Sequence, residues 1–436
     1  MTQTPELDRH LEHYRRRADA MPAAARALRE RGVARFHELG FPTTQLEDWK
    51  YTNPSAITRR AFDLPAAGIP DAAAARVAAT RLRAGIELVF VNGRYAAELS
   101  STAALPAGAF IGSLRQALEE QPELVARHLG ALAAPEQDGV LALNTAFIED
   151  GACIVLPESV ALDVPVHCLF ASAAGDTATV SHVRSLIVAG PRSRASVIEH
   201  YVGDGAYWTN AVTEIAVGRG AELTHYAVQR EDPRAYHLAT IAAAQAGESR
   251  FTSSAVAFGG ALSRRDIGTR FDAAGAACTF DGLYMAGESR HVDHHTTIDH
   301  RAPEGTSREL YKGILSGRAT GVFNGKVFVR PDAQRSDARQ MNQNLLLSDD
   351  AQIDTKPQLE IFADDVKCSH GATIGQLDED AVFYLQSRGL DPADAQRLLI
   401  YAFANELLAR IDILPLREQL EAAMGDQLRA ALGAQP

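Results

Sequence analysis

The sequence feature that most constrains the fold is a repeat of glycine-led turns in the middle of the chain. Gly220, Gly247, Gly275 and Gly305 each open a short segment that leads into a strand-like run, and they are separated by 27, 28 and 30 residues. A near-constant period of this size, with strands and no helices, is typical of a solenoid whose coils bury their apolar faces against one another. A parallel β-helix is the simplest such fold. A jelly roll or sandwich remains an alternative, because turns recur in those folds at about every 8 to 12 residues.

The repeat lies in a β-rich region between two regions of different pattern. From residue 136 to 375, short runs of Val, Ile, Thr and aromatic residues alternate with turn residues, and helical periodicity is absent. Residues 1–135 carry an amphipathic helical pattern that ends at Gly40, followed by a mixed stretch with one strand candidate at 87–91. Residues 376–436 return to helical spacing. We therefore predict an N-terminal helical and mixed region, a β core, and a C-terminal helical domain.

Two aromatic residues follow the first helical pattern. Trp49 and Tyr51 lie in the turn-rich segment 45–54. Large rings beside a helix end usually pack into a core, so we expect both to be core anchors. A binding platform is the alternative.

The charge balance and the cysteine content restrict the partners and the compartment. The chain has 43 Lys and Arg against 55 Asp and Glu, a net charge of −12, and no long basic run. We therefore expect neither nucleic acid nor an anionic membrane surface as a partner. Its four cysteines are scattered without a CxxC spacing, and no 18 apolar residues run together. These features predict a cytoplasmic protein without disulfides and without a membrane span.

Four histidines and two aspartates lie between His291 and His300. On a strand, alternation places His291, Asp293 and His295 on one face, where imidazole and carboxylate groups can bind Fe²⁺ or Zn²⁺. The alternative is a polar ladder in which each imidazole is hydrogen-bonded to a carboxylate or to the next coil. Spacing alone fixes no coordination geometry, so the sequence favours the ladder over the metal site.

A second candidate site is the pair Cys368 and His370. Residues two apart on an extended strand face the same side, so this thiol and imidazole lie a few ångströms apart. They supply two ligands for a soft metal or sulfide, and any further ligands must come from another strand or another chain. Two alternatives stay open, a Cys–His nucleophile pair and a buried structural cysteine beside a capping histidine.

The sequence contains no complete nucleotide-binding loop. The segment from Gly321 to Val327 is similar to one, but only three residues separate Gly321 and Gly325, and Val327 replaces the hydroxyl residue that holds Mg²⁺. GxGxxG, HExxH and GxSxG motifs are absent as well. If the pathway of this protein uses nucleotide energy, we expect a partner to provide the site.

The C-terminal helices carry a broad apolar face. After the N-cap Asp391 and the first-turn Pro392, apolar residues follow at spacings of three and four, as on one helix face. Such a face either caps the end of a solenoid or docks a partner.

Three motifs in the C-terminal third resemble the SufD family of the SUF iron–sulfur cluster assembly system. They are SDARQMNQNLLL at 336–347, KPQLEIFADDVKCSHGAT at 356–373 and FYLQSRG at 383–389. The EDWKYT segment at 47–52 and the stretch 291–300 are also similar to that family, so the resemblance spans nearly the whole chain. It implies a right-handed parallel β-helix (solenoid) core with N-terminal and C-terminal α-helical regions.

The resemblance also implies a non-catalytic scaffold subunit that pairs with the paralogue SufB and binds the SufC ATPase. In that family, the histidine of the KCSHGA motif faces a SufB cysteine where a cluster forms, and it corresponds to His370, with Cys368 two residues before it. The C-terminal helices are implied to dock SufC. The candidate docking residues are Tyr384, Arg388, Leu398, Leu399, Ala402 and Phe403. We expect no tightly bound cofactor in the isolated chain, and a transient iron or iron–sulfur cluster at the interface with SufB.

Two other classes of function remain as alternatives. One is a self-contained β-helix carbohydrate-active enzyme that uses Asp281, Asp293 and Arg290 along a groove, although sugar-binding aromatics are sparse and we expect no secretion signal. The other is a stand-alone metal-binding homodimer that acts through 291–300. An exposed sheet edge also makes self-association of the isolated chain an expectation.

Overall fold

The computed structural model describes residues 5–101 and 104–433, and within them the strands form two sheets of ten and nine strands. From β5 onward, consecutive strands alternate between the two sheets, and every pairing within a sheet is parallel. This is a parallel β-solenoid with helical regions at both ends, so the predicted fold class is confirmed.

The strands of the ten-stranded sheet are β1 (Ile86–Val91), β2 (Arg94–Tyr95), β5 (Val166–Ala173), β7 (Arg194–Asp204), β9 (Glu222–Arg230), β11 (Arg250–Ala257), β13 (Ala277–Ala286), β15 (Thr306–Leu315), β17 (Asp337–Leu346) and β19 (Lys367–Gly375). Those of the nine-stranded sheet are β3 (Phe110–Ser113), β4 (Ala152–Leu156), β6 (Thr179–Ala189), β8 (Tyr207–Val217), β10 (Tyr236–Gln245), β12 (Leu262–Phe271), β14 (His291–His300), β16 (Thr320–Val329) and β18 (Gln352–Ile361).

The repeated turn of the sequence precedes successive strands of the ten-stranded sheet. A residue with left-handed backbone stands two positions before each of the six strands β7, β9, β11, β13, β15 and β17. These residues are Arg192, Gly220, Glu248, Gly275, Glu304 and Arg335, with φ between 56° and 74°. Only two of the six are glycines, although a left-handed backbone costs other residues about 1–2 kcal/mol. The glycine spacing therefore located the right turn, but Gly247 and Gly305 are neighbours of the left-handed residue.

The core lies between the two sheets, where the parallel register stacks equivalent side chains into columns along the solenoid. Phe90, Phe170 and Tyr201 form one such column, with ring centroids 4.8 and 4.7 Å apart. Stacked rings at this spacing fill the space between coils with apolar surface and exclude water.

Seven helices come before or between the first strands in the described residues. They are α1 (Pro5–Arg17), α2 (Arg26–Leu39), α3 (Ser55–Thr58), α4 (Asp71–Thr80), α5 (Leu114–Glu120), α6 (Pro122–Ala126) and α7 (Gly139–Ala146). Most cover the outer face of the nine-stranded sheet, and α4 packs on the ten-stranded sheet. Gly40, with φ of +64°, ends α2 as predicted.

Three further helices follow the last strand, α8 (Glu379–Ser387), α9 (Pro392–Leu408) and α10 (Leu414–Gly433). Asp391 caps α9 as predicted, because its carboxylate accepts from the Asp394 amide at 2.8 Å. Helices α9 and α10 bury an apolar face against the outer side of the ten-stranded sheet, and α8 has no buried residue.

Two local predictions were wrong. Helix α7 lies where only β structure was expected, and all its residues are buried, so it has no polar face that would reveal helical periodicity. Trp49 is buried as expected, but Tyr51 is exposed beside Lys50, whose Nζ lies 5.2 Å from the ring.

Candidate functional site

The two ends of the solenoid differ. At the first coil, the short antiparallel strands β2 and β3 occupy the outer edges of the sheets. At the last coil, β18 and β19 are edge strands with no neighbour on their outer side in the described residues. We call these two strands the open end. Edge strands present unpaired backbone groups and are templates for pairing with another chain.

The sequence and backbone of β18 suit a strand at the edge of a sheet. Gln352 donates its N–H to the carbonyl of Ala319, just before β16, and Phe362 donates to Val329 of β16. By alternation, the backbone nitrogens of the residues between them at odd positions, which include Pro357, face outward. Proline is tolerated at such an edge because the N–H that it lacks is not needed. Ile361 and Phe362 at the end of β18 and Ile374 at the end of β19 are 41%, 55% and 51% exposed, so each edge strand carries exposed apolar side chains.

Cys368 and His370 lie on β19, at the rim of the open end. Cys368 is half-buried against the solenoid core, behind Ala338 of β17. Burial raises the pKa of its thiol, so in the isolated chain Cys368 is held as a thiol and not as an activated thiolate. His370 is exposed, and its imidazole makes no hydrogen bond to the described residues.

A ligand role for these two residues stays a prediction. No group of three or more His, Cys, Asp or Glu side chains suited to a metal ion occurs among the residues that the structure describes. A thiol and an imidazole can bind iron or sulfide only when other ligands complete the coordination sphere. Their position at the rim leaves room for such ligands to arrive from outside the chain.

His291, Asp293 and His295 lie far from this rim in the fold, on the outer face of the nine-stranded sheet. Asp293 accepts hydrogen bonds from Thr52 and from Arg264 Nη1, the latter at 3.1 Å. His295 Nε2 lies 3.1 Å from the other Asp293 oxygen, and His291 Nε2 lies 2.8 Å from Thr52 Oγ1. The three side chains are thus brought together in a hydrogen-bonded network, and a metal ion bound by them stays a prediction.

Electrostatics favour the charged form of Asp293 within that network. Burial acts to raise its pKa, but His295 and Arg264 outweigh burial and hold the pKa of the carboxyl well below its usual range. Burial lowers the pKa of His291, which favours a neutral ring.

The segment 47–52 covers this network. The Arg264 guanidinium lies 4.0 Å from the centre of the Trp49 ring and donates to the Asp48 carbonyl at 2.6 Å. Lys326 Nζ is 2.7 Å from Asp48 Oδ1, and Lys356 Nζ is 2.5 Å from Glu47 Oε1. The motif therefore clamps the N-terminal region across strands β12, β16 and β18.

The other histidines of the stretch face the interior. The His294 ring lies 5.1 Å from the Tyr284 ring and 5.4 Å from the Tyr311 ring, and burial lowers its pKa to about 3. His300 accepts or donates a hydrogen bond at 2.9 Å with Ser307. Neutral, buried imidazoles of this kind are part of the packing.

Polar side chains fill the interior of the last coils, which the sequence analysis missed. Tyr284 donates to Asn344 Oδ1 at 2.5 Å, and Asn344 donates to Asn342 Oδ1 at 2.6 Å. Gln340 Nε2 donates to Glu309 Oε2 at 2.8 Å. Amide residues occupy the alternate positions 340, 342 and 344 in the sequence. Alternation on a strand sends every second residue to the same face, so this pattern was the available signal.

The candidate docking residues on the C-terminal helices have different environments. Tyr384, Leu398 and Ala402 are exposed, and Arg388 lies over the Tyr384 ring at 5.1 Å. Leu399 and Phe403 are half-buried. The neighbouring Phe383 is 71% exposed, so α8 and the adjoining face of α9 form an apolar surface without cover in the described residues.

The carboxylates of the hypothetical enzyme groove do not meet. Asp281 is on the outer face of the ten-stranded sheet, 2.8 Å from Arg410 Nη1, whereas Asp293 is on the nine-stranded sheet. Two carboxylates on different sheets cannot act together on one glycosidic bond.

A β-solenoid with one open end, a thiol and an imidazole at its rim and an uncovered helical surface defines a class of protein with surfaces open to other chains. The chain belongs to the SufBD family of iron–sulfur cluster assembly proteins. A model of the SUF system FeS cluster assembly SufBD core domain matches residues 170–403, and a model of the SufBD protein N-terminal region matches residues 8–168.

Curated relatives agree with this assignment. An iron–sulfur cluster assembly SufBD family protein of Synechocystis is 36% identical over 397 residues, which cover 88% of this chain and 86% of the relative. The iron–sulfur cluster assembly protein SufD of Escherichia coli is 31% identical over 89% of this chain and 90% of its own length. SufD of Bacillus subtilis is 28% identical over 65% of this chain and 66% of its own length. In the described residues, none of the helices has the length and apolarity needed to cross a bilayer.

Proposed function

We propose that this chain is a non-catalytic scaffold subunit of a SUF complex, which pairs through its open end with a SufB-type paralogue and binds a SufC-type ATPase through its C-terminal helices. The observation that carries the proposal is the open end itself. Two edge strands without an outer neighbour, exposed apolar side chains on both of them, and the thiol and imidazole of Cys368 and His370 are found there. A partner that adds strands to this edge satisfies the backbone and supplies the missing ligands in one step.

Iron, sulfide and the growing cluster are substrates at this interface, not resident cofactors. His370 offers a nitrogen ligand and Cys368 a sulfur ligand. Metal binding deprotonates a thiol, so Cys368 becomes a ligand when iron arrives, despite the raised pKa of the free thiol.

The C-terminal helices are suited to transmit the work of an ATPase to the open end. A cavity of about 410 Å³ between the end of β17 and α8 is lined by Leu346, Leu347, Val382 and Phe383. A partner docked there contacts both the helices and the last coils. Closure of two ATPase subunits then pulls on α8 and α9 and opens the subunit interface to iron and sulfide.

Co-expression with candidate SufB and SufC chains, followed by size-exclusion chromatography, tests the assembly. We expect a stable ternary peak. A chain that stays alone or forms only a homodimer contradicts the proposal, and cleavage of polyuronate or stoichiometric metal retention by the lone chain supports one of the alternative functions.

The role of His370 needs a separate variant. His370→Ala should leave the ternary peak intact and lower the yield of cluster formed anaerobically with iron, a sulfide source and ATP. His37→Ala is the matched control, because His37 is an exposed histidine on α2. Wild-type cluster yield in His370→Ala removes His370 from the mechanism.

A further inference from the structure

His370 ends a column of inward-facing positions on three neighbouring strands. In the parallel register, His370 of β19 pairs with Gln340 of β17, and Gln340 pairs with Glu309 of β15. Gln340 and Glu309 are 2% and 5% exposed, whereas His370 is open to solvent. The column therefore runs from the interior to the rim.

Hydrogen-bonding capacity in this column is incomplete. Gln340 Nε2 donates to Glu309 Oε2 at 2.8 Å, but the buried Gln340 Oε1 has no partner. The imidazole of His370 has none either among the described residues. Buried acceptors are nearly always paired in native proteins, and a neutral imidazole has one N–H to give. An unpaired acceptor and an unpaired donor thus stand at adjacent positions of one column.

A glycine across the interior makes room for the Gln340 amide. Added to Gly325 of β16, a Cβ would lie 2.2 Å from Gln340 Nε2. Gly325 has no left-handed backbone, so space and not conformation requires glycine there. This accounts for one glycine of the segment 321–327 that resembles a phosphate loop without being one.

We propose that Gln340 and Glu309 are positioning residues for His370: Glu309 fixes the Gln340 amide, and the Gln340 carbonyl accepts the N–H of the imidazole when the exposed His370 ring turns inward over Gln340. The inference rests on the proposed function, because it assigns how the interface ligand is prepared. With one ring nitrogen held as N–H, the other carries its lone pair toward the rim, where iron is bound. Histidine ligands of metals usually have such a partner on the far nitrogen, and its loss typically weakens metal binding by about 10- to 100-fold.

The tautomer of His370 gives a direct test that does not depend on cluster formation. In the full-length chain labelled with ¹⁵N-histidine, long-range ¹H–¹⁵N correlations report which ring nitrogen carries the proton. We expect one dominant tautomer for His370 in the wild type and in the complex, and a mixture in Gln340→Leu. Gln343→Leu is the matched control, because Gln343 lies on the same strand with its side chain on the opposite face.

Three further variants separate positioning from general packing. Glu309→Gln keeps an acceptor for the Gln340 amide and should retain the wild-type tautomer, whereas Glu309→Leu should not. Gly325→Ala displaces the amide without touching the column itself and should mimic Gln340→Leu, provided that the melting transition shows a folded chain. Iron affinity of the complex should fall about 10- to 100-fold in Gln340→Leu.

A folded Gln340→Leu or Gly325→Ala chain with the wild-type tautomer overturns the inference. That result leaves the proposed function untouched, since His370→Ala tests it separately. Conversely, if His370→Ala forms clusters normally while Gln340 fixes the tautomer, the positioning contact exists and the proposed role of His370 fails.

Discussion

At the scale of single residues, Glu309 is a buried carboxyl near the open end whose pKa lies well above its ordinary value. Burial raises its pKa to about 7, although hydrogen bonds from Thr296 and Gln340 act in the opposite direction. The groups that face it are neutral or acidic: Thr296, Gln340, the thiol of Cys278, Tyr311 and, through the sheet, Asp281. No cation therefore compensates its charge.

Glu309→Gln should make stability less dependent on pH. The folded chain binds the Glu309 proton more tightly than the unfolded chain, so this group stabilises the fold at low pH and loses that contribution as pH rises from about 4.5 to 7. The variant should be near-neutral at pH 4.5 and more stable than wild type by about 3 kcal/mol at pH 8. Urea denaturation at both pH values measures this. Glu222→Gln, on the exposed face of β9, is the control, and a pH-independent difference in Glu309→Gln contradicts the assignment.

Glycines facing tyrosines determine the packing of the interior. A Cβ on Gly282 would lie 2.1 Å from Tyr311 Cε1, and one on Gly313 would lie 2.3 Å from Tyr284 Cε2. Both tyrosines are buried and cannot move aside. Each glycine is therefore half of a small–large pair across adjacent strands.

Gly282→Ala should lower the free energy of unfolding by about 1–3 kcal/mol, the usual cost of overpacking a dense core. Gly175→Ala is the matched control, because nothing lies within 4 Å of its added Cβ, and it should be neutral or slightly stabilising. Chemical denaturation with an unchanged m-value measures the difference. Equal stability of the two variants would mean that the Tyr311 ring relaxes.

Residue-level prediction from sequence succeeded where a rule depends only on strand alternation. Alternation correctly placed His291, Asp293 and His295 together, and it placed His294 and His300 on the other face. It could not predict the Glu309–Gln340 contact, because those residues are 31 positions apart and meet only through the register of separate coils. Nor does a sequence show which end of a solenoid is open.

At the scale of elements, the edge strand β19 has one hydrogen-bonding edge that pairs with β17 and one that is open. Lys367 donates its N–H to the carbonyl of Ser336, the residue just before β17, so by alternation the N–H of Thr373 also points to β17, whereas that of Ala372 points outward. The two neighbouring residues therefore separate internal pairing from pairing with a partner.

Ala372→Pro should leave the isolated chain folded and reduce assembly with a SufB-type partner, because it removes an outward N–H and places a ring on the edge. Thr373→Pro should instead destabilise the isolated chain, because it removes a ladder hydrogen bond. Thermal melting and size-exclusion chromatography of both variants measure this contrast. Normal assembly of Ala372→Pro would show that the partner does not add to this edge.

The sequence predicted the elements of the solenoid well, but it did not predict how the N-terminal segment 47–52 packs on the solenoid. The turn period was readable because each coil repeats the same turn. The clamp formed by 47–52 was not, because it depends on pairs such as Lys356 with Glu47, more than 300 positions apart. Trp49 was recognised only as an apolar anchor, and its contact with the Arg264 guanidinium is a tertiary feature.

At the scale of the whole molecule, the C-terminal helices and the solenoid are joined by buried charges as well as apolar contacts. The side chain of Lys312 on β15 is 3% exposed, and its Nζ donates to the Phe403 carbonyl at 3.0 Å and to Glu406 Oε2 at 2.5 Å. Arg410 reaches Asp281 of β13. Helices α9 and α10 therefore move with strands β13 and β15, whereas α8, which has no buried residue, is free of such ties.

Lys312→Met should weaken that connection without opening the core, because methionine fills a similar volume and Glu406 is half exposed to water. Charge-assisted hydrogen bonds of this kind contribute about 1.5–3 kcal/mol, so amide exchange in α9 should accelerate by about 10- to 100-fold. Exchange in the strands of the nine-stranded sheet should not change.

Lys326→Met is the control, because Lys326 pairs with Asp48 on the opposite face of the solenoid, and it should leave α9 exchange at the wild-type rate. In the assembled complex, this connection and the apolar contacts of α9 with the ten-stranded sheet together carry a force applied to α9 into the solenoid. Lys312→Met should therefore retain ATP hydrolysis while cluster yield falls, and unchanged exchange in α9 would show that the apolar contacts alone hold the helices.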